Sequence, residues 1–335
     1  MRTAEQGRTR STREPTRTML HDLTGRGDSG LPVVAVVHPG VLAATVYRRL
    51  ADELAVDHDM FVLDLTGLPE YWRATMGGGR DLGGVTVEAA VERLAAVLAE
   101  RAAGAPSIVL VGWSLGGTLA YELARQAAAG ENDLTQPLDL LLLDSMGPRE
   151  RLPDDLSRAT PALLSCFAMY LGAKRGSRLR LPEERFATAS VEEGLATIRD
   201  AAADQDLLAA ETPLVGLRKL YDTYVDGLVR NTLLTSRYRS PTTTRPLTLI
   251  KPEGSLRPAS ADLGWSALAR GELRVHTSPG DHYTMLADPR SVAIIAGLVR
   301  EQTEELLGRP MALATAHTTA HTTALATAGE EVTGA

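Results

Sequence analysis

Hydrophobic and polar positions along the chain follow two alternating periods. Short, largely apolar runs recur near 32–38, 59–64, 107–112, 138–143 and 246–251, and an alternating run stands at 272–278. The apolar runs, rich in Val, Ile and Leu and bounded by turn residues, predict buried strands, and the alternating run predicts a half-buried one. Between them, apolar residues spaced three and four apart predict amphipathic helices near 45–55, 87–103, 117–129 and 289–307. Strands alternating with helices imply an α/β fold, with a mainly parallel central sheet covered by helices on both faces. One block breaks the alternation. From 148 to 244 the pattern turns helical, with stripes in "TPALLSCFAMYLGA", near 191–209, and from 214 to 238, where Leu217, Leu220, Tyr221, Tyr224, Val225, Leu228 and Val229 recur at helical steps.

One strand-to-helix junction carries chemistry. In "IVLVGWSLGGTLAYELARQ" (108–126) a buried-strand pattern stops at Gly112 and a helical pattern follows from Thr118. The five residues Gly112-Trp113-Ser114-Leu115-Gly116 read G-x-S-x-G, the elbow that holds a nucleophilic serine in a sharp, strained turn. Glycine at 112 and 116 is a steric requirement of that turn. A serine needs a base and an acid, in the chain order Ser, acid, His. Asp144 ends the apolar strand in "LDLLLLDSMGP", where catalytic groups of parallel sheets gather. His282 follows the strand and Pro-Gly turn of "ELRVHTSPGDHYTMLADP". Of the other histidines, His38 and His276 fall in strand-like runs, His58 between two aspartates is expected in solvent, His21 precedes the first clear strand, and His317 and His321 lie near the C-terminus. The N–H of Leu115 supplies one oxyanion donor. A second is expected from the loop after "LPVVAVVHPG", where Gly40 and Val41 follow a proline that cannot donate.

The strings "VVHPGVLAATVYRRLADEL", "VLVGWSLGGTLAYELARQ", "LLLLDSMGP" and "PGDHYTMLADP", in order over most of the chain, resemble the thioesterase domains that release chains from nonribosomal peptide and polyketide synthases, an α/β-hydrolase family. The resemblance implies Ser114 as nucleophile, His282 as base and Asp144 as acid. It puts Val41 ahead of Gly40 as the second oxyanion donor. Stand-alone proofreading relatives carry the acid one strand later, which makes Glu253 in "RPLTLIKPEGS" the alternative. The 148–244 block corresponds to the family's lid. The implied partner is an acyl or peptidyl carrier protein, whose phosphopantetheine arm presents the acyl chain for hydrolysis or macrocyclisation. No cofactor or metal is implied. A proofreading thioesterase, a small-ester esterase or lipase, and a non-catalytic docking module are the alternative readings.

Composition narrows the setting. With 44% hydrophobic residues over 335, the chain can bury one large core. No apolar run approaches the roughly 20 residues of a membrane span, and the N-terminus lacks the apolar segment of a signal peptide. The single cysteine, Cys166, fits a reducing cytoplasm and is expected to pack in an apolar patch. A net charge of -7 speaks against a nucleic-acid partner. Polar residues 1–28 and the Ala/Thr-rich residues 310–335 are expected to be disordered tails around a hydrolase domain spanning 29–309. The glycine-rich 76–84 lacks the lysine of a phosphate loop and reads as a surface connection. His317 and His321 have metal-ligand spacing without neighbouring ligands. Met1 favours a free-standing protein over an excised terminal domain.

Overall fold

The computed structural model describes residues 19–27, 29–68, 71–72, 85–148 and 159–308. Of the expected tails 1–28 and 310–335, residues 1–18, 28 and all of 310–335, with His317 and His321, lie outside the described residues, as does the glycine-rich 76–84. Among the described residues seven strands form one sheet: β1 (Leu20–Asp22), β2 (Val33–His38), β3 (Asp59–Asp64), β4 (Ile108–Trp113), β5 (Leu138–Leu143), β6 (Leu247–Gly254) and β7 (Leu273–Asp281), in the order β1-β3-β2-β4-β5-β6-β7. All neighbours are parallel except β1 and β3. β2, β3 and β4 are buried at every position, the pattern of a parallel sheet covered on both faces.

Four helices complete the frame: α1 (Arg48–Leu54), α2 (Val87–Arg101), α3 (Leu115–Ala129) and, at the end of the described chain, α7 (Pro289–Gly308). Alternate strand residues divide the core in two. Val34, Val36, Val109 and Val111 share one cluster with Leu50 of α1 and Ile295 of α7. Val33, Ala35, Val37 and Leu110 share the other with Leu94 of α2 and Leu123 of α3.

The lid lies between β5 and β6 and contains α4 (Thr160–Lys174), α5 (Val191–Ala203) and α6 (Leu214–Ser236). Ser190 and Glu193 close a capping box at the start of α5. This helix ends at Ala203, short of the expected 209, because Asp206 enters the left-handed region at φ 56°. The amides of Asp206 and Leu207 then donate to the carbonyls of Ala203 and Ala202, a Schellman closure. Phe167, Leu195, Ile198 and Tyr224 of the lid belong to the same core cluster as α1 and α7. The lid is thereby packed onto the frame by apolar burial.

Three expectations are corrected. Residues 20–22, assigned to the N-terminal tail, form β1, with Leu20 opposite Leu63 and with Met19 and Leu23 buried on either side. Three residues are too few to show a period. His58, expected in solvent, is only 2% exposed; its ring bonds Asp57 at 2.8 Å and the Thr303 hydroxyl at 2.9 Å. That second partner lies on α7, far along the chain, where local charge pattern gives no signal. Finally, β7 runs through Pro279-Gly280 to Asp281 and does not break at 278. β7 is an edge strand, where a proline without an N–H is tolerated, and Gly280 accommodates φ 101°.

Candidate active site

Five parallel strands, β2, β4, β5, β6 and β7, deliver the residues of the site from their carboxyl ends at one edge of the sheet. Ser114 directly follows β4 and stands at φ 55°, ψ -127°, a strained conformation for a residue with a Cβ. Its amide donates to the Leu143 carbonyl at 3.0 Å, tying the elbow to β5. The flanking glycines are fixed by space. A Cβ on Gly112 would lie 2.4 Å from the Gly117 Cα, and one on Gly116 would lie 2.0 Å from the Val37 carbonyl oxygen. The Ser114 side chain does not cap α3, so its hydroxyl is not committed to the helix it precedes.

Asp144 directly follows β5 and takes φ 38°, with its amide donating to the Ile250 carbonyl at 2.8 Å. This turn aims the carboxylate at His282. His282 Nδ1 and Asp144 Oδ2 are 2.7 Å apart, and both side chains are almost fully buried. A carboxylate can only accept, so Nδ1 carries the proton and Nε2 is left as the basic nitrogen. Asp144 Oδ1 accepts the Ser255 hydroxyl at 2.6 Å, and the Leu256 amide donates to Oδ2 at 3.4 Å. The His282 backbone is held from two sides, by its amide to the Gly254 carbonyl and by its carbonyl from the Trp113 indole N–H at 2.9 Å. The Trp113 ring lies 5.1 Å from the imidazole centroid.

Glu253, the alternative acid, is exposed near the end of β6 and makes no bond to His282, whose Nδ1 is taken by Asp144. Strand alternation explains this: Pro252 and Gly254 face inward and Glu253 outward. The same "PEGS" segment contributes Ser255 instead, a partner that the sequence reading missed. Hydroxyls that bond a carboxylate leave no trace in a linear pattern.

Leu115 opens α3, so its amide lies in the first turn, where N–H groups have no partner within the helix. The loop after β2 is braced by His38. Its Nε2 is 2.7 Å from the Leu42 carbonyl, which fixes the proton on that nitrogen, and Nδ1 accepts from the Tyr47 hydroxyl at 3.0 Å. Burial pushes the His38 pKa below its ordinary value, against the opposing field of Asp64. Gly40 adopts φ 82°, and a Cβ there would meet Thr66 Cγ2 at 2.0 Å. The Val41 amide has no acceptor among the described residues.

Ser114, Leu115 and Asp144 line a cavity of about 650 Å³ beneath the lid, together with Leu163 and Cys166 of α4 and Tyr224 of α6. Val41 and Gly40 lie outside its lining. Burial pushes the Cys166 thiol up to about 12, so at neutral pH it is a protonated wall group. An aromatic chain joins the lid to the histidine. The Tyr224 and Tyr283 hydroxyls are 2.9 Å apart, and the Tyr283 ring stands edge-on to His282 at 4.8 Å. Burial raises both phenol pKa values well above the usual range, so both stay protonated. Among the described residues no helix is long and apolar enough to cross a membrane.

A serine on a strained strand-to-helix elbow, with a His–Asp pair at the same sheet edge, is the arrangement of an α/β hydrolase. The chain belongs to the thioesterase domain family, whose model matches residues 32–301. It is 27% identical over 286 residues to the pimeloyl-[acyl-carrier protein] methyl ester esterase of Stenotrophomonas maltophilia strain R551-3, covering 83% of this chain and 96% of that protein. Among solved structures it is similar to the four-domain nonribosomal peptide synthetase AB3403, with a TM-score of 0.56 and 22% identity. That match covers 85% of this chain and 20% of the synthetase. The NocB thioesterase domain, solved as a covalent complex with a fluorophosphonate nocardicin G analogue, matches with a TM-score of 0.50 and 21% identity over 84% of this chain and 98% of that one. At such identities the likeness to solved structures is one of fold.

Proposed function

We propose that the protein is a serine thioesterase that takes an acyl chain from the phosphopantetheine thioester of a carrier protein. The observation that carries the reading is the 2.7 Å bond between Asp144 and His282, set at the sheet edge where Ser114 opens into the lid cavity. His282 Nε2 accepts the Ser114 proton as Oγ attacks the thioester carbonyl. The carbonyl oxygen becomes an oxyanion held by the Leu115 N–H and, from the braced loop, the Val41 N–H. Each such donor stabilises the transition state by about 3 kcal/mol. Collapse breaks the C–S bond, and the imidazolium returns the proton to the departing thiolate. Acyl-Ser114 then reacts with water to give a free acid, or with an amine or hydroxyl of the same chain to give a macrocycle.

Intact-protein mass spectrometry tests this reading. A fluorophosphonate should add once to the wild type and not to Ser114→Ala. A carrier-bound acyl thioester should leave a transient acyl adduct that the same substitution removes. Labelling of Ser114→Ala at the wild-type rate would overturn the assignment.

The similarity to methyl ester esterases favours a second reading, hydrolysis of an ester borne by a carrier-bound chain. The triad would be unchanged, with methanol as the leaving group. A methyl ester cleaved much faster than the carrier thioester of the same acyl group would select it.

A further inference from the structure

The chain leaves β3 through a tight 3-10 turn, Leu65–Gly67, and Asp64 caps it. Oδ1 of Asp64 accepts both the amide and the hydroxyl of Thr66, at 2.8 and 2.7 Å, while His21 Nε2 lies 3.1 Å from Oδ2. Thr66 is thus fixed at backbone and side chain, and its hydroxyl bond sets where its methyl points. That methyl stands against Gly40: a Cβ there would lie 2.0 Å from Thr66 Cγ2 and 3.7 Å from Asp64 Oδ1. β2 and β3 are neighbours with His38 opposite Asp64, so both strands end beside the loop that carries the Val41 amide. His38 braces that loop from its own strand, and Thr66 meets it from the next.

The Thr66 carbonyl leads to the lid. It accepts the Trp72 indole N–H at 2.8 Å. Arg230 of α6 sets its guanidinium 4.6 Å from the centroid of the Trp72 ring and 5.4 Å from that of Tyr71. The Tyr71 hydroxyl donates to Asn231 Oδ1, and burial raises the phenol pKa, so it stays protonated. Cations are drawn to ring faces, more strongly where water is excluded, and Arg230 is only 6% exposed. Leu228 and Asn231, on either side of it in the helix, line the cavity. A buried cation costs desolvation that an aliphatic side chain would avoid. Apolar packing already secures α6 through Leu217, Tyr221 and Tyr224. What the guanidinium adds is one defined seat for the helix against Tyr71 and Trp72.

We infer that Thr66 is a positioning residue for the second oxyanion donor, and that Trp72 and Arg230 make its position depend on the seating of α6. The contacts run without a gap from Arg230 to Trp72, Thr66 and Gly40, the residue before Val41. With α6 seated, the Thr66 methyl holds the loop at the left-handed Gly40 and the Val41 N–H keeps its aim. With α6 displaced, Thr66 loses that hold and the oxyanion loses the full strength of one donor. The inference rests on the proposed role of the Val41 amide and deepens it: acyl transfer to Ser114 runs at full rate only under a seated lid.

The test compares 4-nitrophenyl acetate with its thiono analogue, in which sulfur replaces the carbonyl oxygen. Sulfur is a weak acceptor, so well-aimed N–H donors favour the oxygen ester. A misplaced base slows both esters alike, and their kcat/KM ratio therefore reads the oxyanion donors. Thr66→Ser removes the methyl against Gly40 and keeps the bonds to Asp64; it should lower the ratio and kcat about tenfold, with KM nearly unchanged. Trp72→Phe deletes the indole N–H and keeps a ring for Arg230, and Arg230→Met removes the cation. Each should lower the ratio about threefold, and the two together no more than the larger single effect, since both cut one link. Urea titration of the same variants measures stability. Loss of stability with the wild-type ratio kept in all three would show the link to be packing and would overturn the inference, as would a wild-type ratio no higher than that of spontaneous hydrolysis. Turnover of the esters without turnover of a carrier-bound thioester would overturn the thioesterase reading and leave this one standing. A thioester turned over, with the ratio unmoved in Thr66→Ser, would do the reverse. Absence of turnover on esters and thioester alike would overturn both.

Discussion

His38 and Leu42 are joined across the turn that follows β2, ring Nε2 to carbonyl oxygen at 2.7 Å, with the Tyr47 hydroxyl on the other ring nitrogen. This fastens the loop carrying the Val41 amide to the last residue of a buried strand. His38→Leu fills the ring's space without replacing its bonds, leaving a carbonyl and a phenol short of partners at about 1–3 kcal/mol each. If the Val41 amide is the second oxyanion donor as proposed, loss of stability by urea titration should be accompanied by a fall of tenfold or more in kcat, because the loop would no longer hold it in place. Tyr47→Phe removes only the outer bond and should cost less in both measurements.

The same histidine makes a pH signature. Burial holds its folded pKa below the ordinary 6.5, so between 6.5 and that lower value the unfolded chain binds a proton that the folded chain does not. The stabilisation is complete above 6.5 and is lost as pH falls toward the folded pKa, with a slope of up to about 1.4 kcal/mol per pH unit. The stability gap between wild type and His38→Leu should therefore narrow from pH 7 to pH 5. A gap that stays constant would show that the ring titrates alike in both states.

The acid is tested by a ranking. Asp144 holds the His282 tautomer, so Asp144→Asn should lower kcat by about 10⁴-fold with the fold retained. Ser255→Ala leaves that bond but strips the carboxylate of its hydroxyl partner on Oδ1, and an intermediate loss of about tenfold is expected. Glu253→Gln, on the exposed side of β6, should change kcat less than twofold. A reversed order of Asp144 and Glu253 would move the acid to the later strand.

The strength of that ranking reflects where sequence is informative. Ser114 and Asp144 each follow a strand of nearly unbroken apolar residues, and a sheet buried on both faces writes itself into the chain as such runs, while His282 follows an alternating edge strand that ends in a Pro-Gly pair. The elbow is equally legible, since Gly112 and Gly116 are positions where any Cβ collides with backbone. What lay hidden is cross-chain bonding by ordinary residues: Ser255 to Asp144, His58 to Thr303, Trp113 to the His282 carbonyl. None of these partners lies within reach of a local pattern. β1 escaped for a different reason, being too short to alternate.

The elbow also predicts a stability effect. Gly116→Ala would place a methyl 2.0 Å from the Val37 carbonyl oxygen, a backbone atom of a fully buried strand that cannot swing aside. A loss above about 4 kcal/mol is expected, in the range of severe core mutations. Calorimetry should show a large drop in Tm or no cooperative transition. Gly130→Asn, at a left-handed helix end with open space around it, is the control and should fold normally.

Tyr224 belongs to α6 and Tyr283 to the residue after His282, so their 2.9 Å hydroxyl contact is a direct link from the lid to the backbone that carries the imidazole. Tyr170 of α4 stacks on Tyr224 at 5.0 Å and meets Tyr283 at 5.8 Å, which makes both lid helices party to the link. Tyr224→Phe and Tyr283→Phe each delete one hydroxyl and strand the other in a buried site, at about 1–3 kcal/mol. The double variant strands neither, so its cost should fall well short of the sum, a coupling that denaturant titration can measure. Structure alone would account for that much. If the link positions the base, kcat on a small activated thioester should also fall in both single variants, by several-fold, with KM nearly unchanged, and recover in part in the double variant. Unchanged kcat in all three, alongside the coupling in stability, would mean that the tyrosines hold the lid down without steering His282.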